Sequence, residues 1–418
     1  MIPYRALICL LLALLLLSGC SHISGEPLPA EPTQTLPAPT QPSSATVPAV
    51  TDSEPSPEPL PEQILAGMTL REKVGQLFLV RPDTMTLSWT PVDMIYSYAT
   101  GGVTGVSDAM REALELYPVG GFILFSRNIS DPDQLSSFNR DLRDACAIPP
   151  FLAVDEEGGA VARLANNRSF GLPRYSSAFD VFASGGIPAV QDMGIQIGGY
   201  LSEDGFNMDM APDADVFTNP NNTVIGHRAF SSDPREAAAS ARAMADGLRQ
   251  RGICPVFKHF PGHGDTAEDS HHQIAVSYKS LEELEACEWI PFLEAEDREC
   301  IMVGHVALPE ITGSSVPATL SPRILQDFLR GTVGFEGLIL TDSLSMGAIT
   351  AFYDPDLAPL MALEAGCDVL LMPEDLPASF ETIVDAVESG ALPESRVDES
   401  VLKILRFKED YHLLDSYQ

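Results

Sequence analysis

The stretch KHFPGHGDTAEDSHHQ, residues 258–273, holds four of the chain's eight histidines, His259, His263, His271 and His272, with Lys258, Asp265, Glu268 and Asp269 among them. Proton-carrying groups at this density are hard to attribute to packing, and three kinds of role fit them. Zinc binding is one, because His259 and His263 have the i, i+4 spacing of helical metal ligands. Pro261, Gly262 and Gly264 oppose a helix there, so the two imidazoles need not share a face and no metal is expected. A solvated polar loop is the second. Acid/base catalysis is the third: Asp269-Ser270-His271 sets a carboxylate two residues from an imidazole, near enough to fix its tautomer and raise the basicity of the outer nitrogen.

Two further motifs supply carboxylates. GLILTDSLSMGAI, residues 337–349, puts Asp342 at the end of an apolar run, where a rigid backbone can hold a nucleophilic carboxylate in a cleft. Capping of the following turn is its competing role. FLAVDEEGGAVARL adds Asp155 at another such end, with Arg163 nearby and Gly158 and Gly159 allowing close backbone approach. Carboxylates and a guanidinium facing one cleft suit sugar hydroxyls.

Elements that could hold these groups recur along the chain. GQLFLVRP, GGFILFSRN, PFLAVDEE, NMDMAPD, CPVFKHFPG, CIMVGHV, GLILTDS and CDVLLMPED are eight candidate strands, apolar on both faces as parallel strands are. Helix signals fall between them: Thr69 with Glu72, Asp233-Pro234 with Glu236 before Gly252, and Ser280 with Glu283. Eight alternating units predict an α/β fold, a (β/α)8 TIM-type barrel in a single catalytic domain. Asp155, Lys258, His259, His305 and Asp342 then fall at strand ends, the face on which barrels build their sites. A two-lobed solute-binding fold is the competing architecture. Residues 83–118 fit neither pattern and are read as a partly helical insertion after the first strand, over the cleft.

The start of the chain carries a different message. One cation, Arg5, precedes the apolar run LICLLLALLLL and then Leu17-Ser18-Gly19-Cys20. The run is too short for a spanning helix and reads as a signal peptide over 1–19, with Cys20 as the lipidation site of a lipobox. Residues 20–62 read as a disordered tether; from about residue 26 they are dominated by Pro, Ser, Thr, Ala and Glu, a stretch that reaches roughly 100 Å at about 3.1 Å per residue. The catalytic domain is expected over 63–418. The formal charge of -34, made one unit more acidic by loss of Arg5, repels nucleic acid and anionic headgroups, so the lipid anchor is the only expected membrane contact. Cys146, Cys254, Cys287, Cys300 and Cys367 remain beyond Cys20, an odd set without close spacing that reads as buried free thiols.

Taken in order, AVDEEGGAVARL, MAPDADVFTNPNNTVIGHRAF, KHFPGHGDTAEDSHH, IMVGHVALPE, PATLS and GFEGLILTDSLSMGAI resemble glycoside hydrolase family 3, in its β-N-acetylhexosaminidase branch, from about residue 64 to the C-terminus. The resemblance implies a retaining exo-β-N-acetylglucosaminidase that needs no cofactor and acts as a monomer. It implies Asp342 as nucleophile and His271 as acid/base oriented by Asp269. Asp155, Arg163, Arg228, Lys258 and His259 would bind the nonreducing sugar. Muropeptides or other β-N-acetylglucosaminyl glycans outside the cytoplasm are the expected substrates. Ala160 and His227 depart from the family pattern, on the leaving-group side. A non-catalytic lipoprotein binding sugar or metal shares the lipobox, tether and α/β composition, but has no use for Asp342 together with Asp269-x-His271.

Overall fold

The computed structural model describes residues 59–89, 93, 101–267, 273–415 and 417. Cys20, Asp269 and His271 lie outside the described residues. Each of the eight apolar runs contains a strand: β1 Phe78–Val80, β2 Gly121–Leu124, β3 Phe151–Val154, β4 Met208–Asp209, β5 Cys254–Phe260, β6 Cys300–Val303, β7 Leu338–Thr341 and β8 Leu370–Leu371. All pair in parallel, in the order β7-β6-β5-β4-β3-β2-β1-β8. The two edges meet where the amide of Thr341 donates to Val369 O at 3.0 Å and that of Leu344 to Leu371 O at 2.9 Å. The ring is a (β/α)8 barrel, and the two-lobed alternative is set aside. Strands such as β2, β3, β6 and β7 are buried along their whole length, because side chains fill the barrel on one face and meet helices on the other.

The helix starts are formed by the groups expected of them. Thr69 and Glu72 exchange side-chain-to-backbone hydrogen bonds ahead of Leu70–Gln76, and Ser280 and Glu283 do the same ahead of Leu281–Ala286. Asp233 Oδ1 accepts from the amides of Arg235 and Glu236 at the head of Pro234–Arg249. Each such cap contributes about 1 kcal/mol by satisfying amides that have no partner within the helix.

Residues 83–118 divide differently from the expectation. Asp108–Leu116, capped by Ser107, buries Met110, Ala113 and Leu114 and is the crossover helix between β1 and β2, not part of an insertion. Its polar outer face hid that role in the sequence. Asp83 is fully buried after β1, where it accepts from the Val103 amide at 3.0 Å and from Asn128 Nδ2 at 3.0 Å.

Helix Leu60–Gly67 begins ahead of the boundary expected at 63 and packs on the C-terminal helix Glu394–Asp410, with Arg406 bonded to Glu62. From that last helix the fully buried Lys408 reaches the strand-entry end of the barrel, donating to Gln76 Oε1 at 2.7 Å and to Gly120 O at 3.0 Å. The five cysteines are unpaired; Cys254, Cys300 and Cys367 are buried, whereas Cys146 and Cys287 are only partly so. No helix among the described residues is long and apolar enough to cross a membrane.

Candidate active site

A cavity of about 380 Å³ opens at the strand-exit end of the barrel, and Asp155, Arg163, Arg228, Lys258, His259 and Asp342 all line it. The structure thus brings together every described residue put forward for catalysis or sugar binding, while His305, also expected at this face, is fully buried behind them.

Asp155 directly follows β3. Its Oδ1 accepts from Lys258 Nζ at 2.9 Å and its Oδ2 from Arg163 Nη2 at 2.8 Å. Burial opposes its ionisation, but the Lys258 and Arg163 charges outweigh that and hold the carboxyl well below its ordinary range. A hairpin of Glu156–Gly158 and Val161–Ala162 turns back at Gly159 to deliver Arg163. The turn requires glycine: Gly158 and Gly159 have φ of 86° and 67°, and a Cβ on Gly159 would lie 2.9 Å from Ser177 Cα. Buried Glu156 secures the hairpin, accepting from the amides of Leu164 and Ala165 at 2.9 Å each and from the Tyr200 hydroxyl at 2.8 Å.

Lys258 and His259 are the outward end of β5. The ladder with β6 is regular at Val256 and Phe257, shifts, and resumes at Phe260, so this pair sits at an irregularity that points it into the cleft. Phe260 packs edge-on to Phe292 at 5.3 Å and against Trp289 at 5.8 Å, which pins the chain just beyond the two polar residues. Past Phe260 the chain turns and is not helical, as the glycines predicted. Gly262 has φ of 113°, and a Cβ on Gly264 would fall 1.8 Å from Val216 O.

Lys258 Nζ also bonds Glu157 Oε1 at 2.6 Å, and burial is overcome by Asp155 and Glu157 so that its ammonium is firmly retained. Arg228 donates to both oxygens of Glu157 at 2.8 Å. Burial works against the Glu157 carboxylate, but Arg228 and Lys258 bring its pKa down to about 2. His259 Nδ1 donates to Asp215 Oδ2 at 2.7 Å; burial disfavours the imidazolium, yet the Asp215 charge prevails and raises the His259 pKa. Asp215 Oδ1 accepts from the His263 amide at 2.6 Å.

Asp213, Asp215 and His259 offer three ligand atoms within 4.8 Å of one another, a set that could in principle take a cation. They are already committed to protein partners: His259 to Asp215, and Arg228 lies 3.4 Å from Asp213 Oδ2 and 3.5 Å from His259 Nε2. A guanidinium there supplies the positive charge a metal would bring.

Asp342 follows β7 across the cavity. Its Oδ1 accepts from the amide of the next residue, Ser343, at 2.7 Å, and the carboxylate lines the cavity; the helix that follows, Gly347–Thr350, is not capped by it. Burial penalises its charge, but His305, His259, the Ser343 amide and Lys258 together lower its pKa, so it is ionised at neutral pH. Sequence reasoning did not single out Glu157, Asp213 or Asp215. The doubled acids of DEE and of PDAD at strand ends were the available signal, since a carboxylate buried there must be paired. Of the two departures, Ala160 is exposed at the hairpin turn, and the exposed His227 ring stacks on Phe179 at 4.7 Å.

The family description "Glycosyl hydrolase family 3 N terminal domain" matches residues 69–407. Among curated relatives, beta-hexosaminidase A of Pseudoalteromonas piscicida is 29% identical over 333 residues, 73% of this chain and 56% of its own length. Beta-hexosaminidase LpqI of Mycobacterium tuberculosis is 35% identical over 332 residues, covering 76% of this chain and 83% of the relative. A solved family 3 beta-N-acetylglucosaminidase from Paenibacillus sp. superposes with a TM-score of 0.75 at 32% identity, over 83% of this chain and 63% of that one. The chain therefore spans under two thirds of the length of the first and third of these proteins.

Proposed function

Because the chain belongs to glycosyl hydrolase family 3, we propose that it is a retaining exo-β-N-acetylglucosaminidase that releases nonreducing terminal N-acetyl-D-hexosamine. The observation that carries this reading is an ionised carboxylate, Asp342, facing a wall of fixed ion pairs across a cavity of about 380 Å³. That volume suits one sugar ring. Asp155, Arg163, Arg228, Lys258 and His259 hold the hydroxyls, each already oriented by a partner and so ready to bind without reorganising.

In the first step an Asp342 oxygen attacks the anomeric carbon while the bond to the leaving oxygen breaks, and His271 delivers a proton to that oxygen. Asp269 orients the imidazole. In the second step the same histidine takes a proton from water, which attacks the anomeric carbon and frees Asp342. Two displacements retain the anomeric configuration. The natural substrate in this proposal is a β-N-acetylglucosaminyl glycan or muropeptide from peptidoglycan. The protein reaches it from the outer face of the membrane, tethered through acylated Cys20 and the proline-rich segment.

Incubation with p-nitrophenyl N-acetyl-β-glucosaminide tests the reading. Release of p-nitrophenol with β-N-acetylglucosamine as the first-formed anomer supports it. Absence of turnover, with retained sugar binding, overturns it in favour of a non-catalytic binding lipoprotein.

A further inference from the structure

His305 stands one residue beyond Gly304 at the end of β6 and has no exposure to solvent. Both of its ring nitrogens are engaged. Nε2 lies 2.9 Å from the carbonyl of Ser343, and Nδ1 lies 2.8 Å from the hydroxyl of Thr319, itself fully buried in the turn Ala318–Leu320. A carbonyl only accepts, so Nε2 must carry a hydrogen. The threonine hydroxyl can give or take one, so the ring is accommodated either neutral or as a cation.

The residue that His305 grips is the one that holds Asp342. Ser343 accepts from His305 through its carbonyl and donates through its amide to Asp342 Oδ1 at 2.7 Å. The two bonds lie on the adjacent peptide units that meet at Ser343, so a displacement of Ser343 would strain the bond to the imidazole and the bond to the carboxylate together. Among the described residues, Lys258 and His259 of β5 and His263 of the turn after it also act on Asp342. His305 alone approaches from β6 and is joined to Asp342 through the backbone.

We infer that His305, seated on Thr319, is the positioning residue of the nucleophile: it fixes the Asp342-Ser343 turn and places an ionisable ring beside the reacting carboxylate. The inference rests on the reading of Asp342 as nucleophile. It makes Thr319, the central residue of the PATLS segment, a determinant of the first chemical step.

The experiment uses His305→Gln, whose amide can still donate to the Ser343 carbonyl but carries no charge, with Thr319→Val and Thr319→Ser. The pH dependence of kcat/KM is followed with an activated aryl N-acetyl-β-glucosaminide. A nearby cation lowers a carboxyl pKa by about one unit or more, so its removal should move the acid limb of His305→Gln upward by about one pH unit. Below about pH 5, kcat should fall relative to the parent by an amount that grows toward about ten-fold as the pH drops, while KM stays within about three-fold of the parent. Thr319→Val should shift the limb in the same direction, and Thr319→Ser should restore it. If His305→Gln does not fold, the two threonine variants carry the test alone. An acid limb unmoved in the folded variants overturns the inference. A 5-fluoro glycosyl fluoride of N-acetylglucosamine, used to trap the glycosyl-enzyme for peptide mapping, separates the two readings. Label on a residue other than Asp342 sinks the nucleophile assignment, whereas label on Asp342 with an unmoved limb sinks only the role of His305.

Discussion

The guanidinium of Arg228 and the carboxylate of Glu157 meet through two parallel hydrogen bonds of 2.8 Å, with the Glu157 side chain 2% exposed. Asp213 Oδ2, 3.4 Å from Arg228 Nε, shares the same cation. Removing one partner of such a pair leaves a charge without water or counter-ion, which costs about 3 to 5 kcal/mol. Arg228→Met should therefore lower the urea midpoint sharply, and adding Glu157→Met should recover part of the loss. A double variant as unstable as the sum of the two singles would show that the pair is not coupled.

The division of labour proposed for Asp342 and His271 predicts unequal losses. Proton transfer is worth about 10² to 10⁴ in rate and matters least when the leaving group departs unaided. On an activated aryl glycoside, Asp342→Asn should abolish turnover while His271→Ala retains a measurable fraction. On an unactivated disaccharide both should be severely impaired. Equal losses on the activated substrate would contradict the assignment.

Lys408 predicts how stability varies with pH. Burial is the dominant influence and brings its ammonium pKa down to about 7, against an ordinary value of 10.5. Between those limits the unfolded chain holds a proton that the folded chain lacks, so this residue makes stability rise as pH increases from 7 toward 10. Below pH 7 its full cost, on the order of a few kcal/mol, is present. Lys408→Met should flatten this dependence relative to the parent and gain most at pH 6, as read by melting temperature across the range.

The cysteines predict a chemical count. With Cys146, Cys254, Cys287, Cys300 and Cys367 all unpaired, alkylation of the denatured, unreduced protein followed by peptide mapping should label every one. Cys287, partly exposed, should react ahead of the three buried thiols in the folded protein. Any pair of these found joined by a disulfide would overturn the assignment.

The barrel was legible because its strands are short apolar runs closed by polar residues, a pattern that survives without knowledge of neighbours. Asp342, Asp155 and Lys258 could be read as site residues for the same reason, standing where such runs stop. Glu157 was not legible, since nothing in DEE says which acid faces the cleft and which, like Glu156, turns back to cap backbone amides. Thr319 lies in the PATLS segment, but nothing there indicated its partner; its contact with His305 bridges two segments that the fold brings together. Asp108–Leu116 was misread because a helix facing the barrel with only three buried side chains has a polar sequence.

The irregular step in the ladder between Phe257 and Phe260 has a bearing on how new specificities can arise. Lys258 and His259 are wedged between core aromatics, so any exchange at either position disturbs the barrel wall. Ala160, exposed on the hairpin opposite, bears no such burden. Within this hairpin the room for new side chains is therefore at Ala160, since Gly158 and Gly159 are held by their positive φ and the strand pair by the barrel wall.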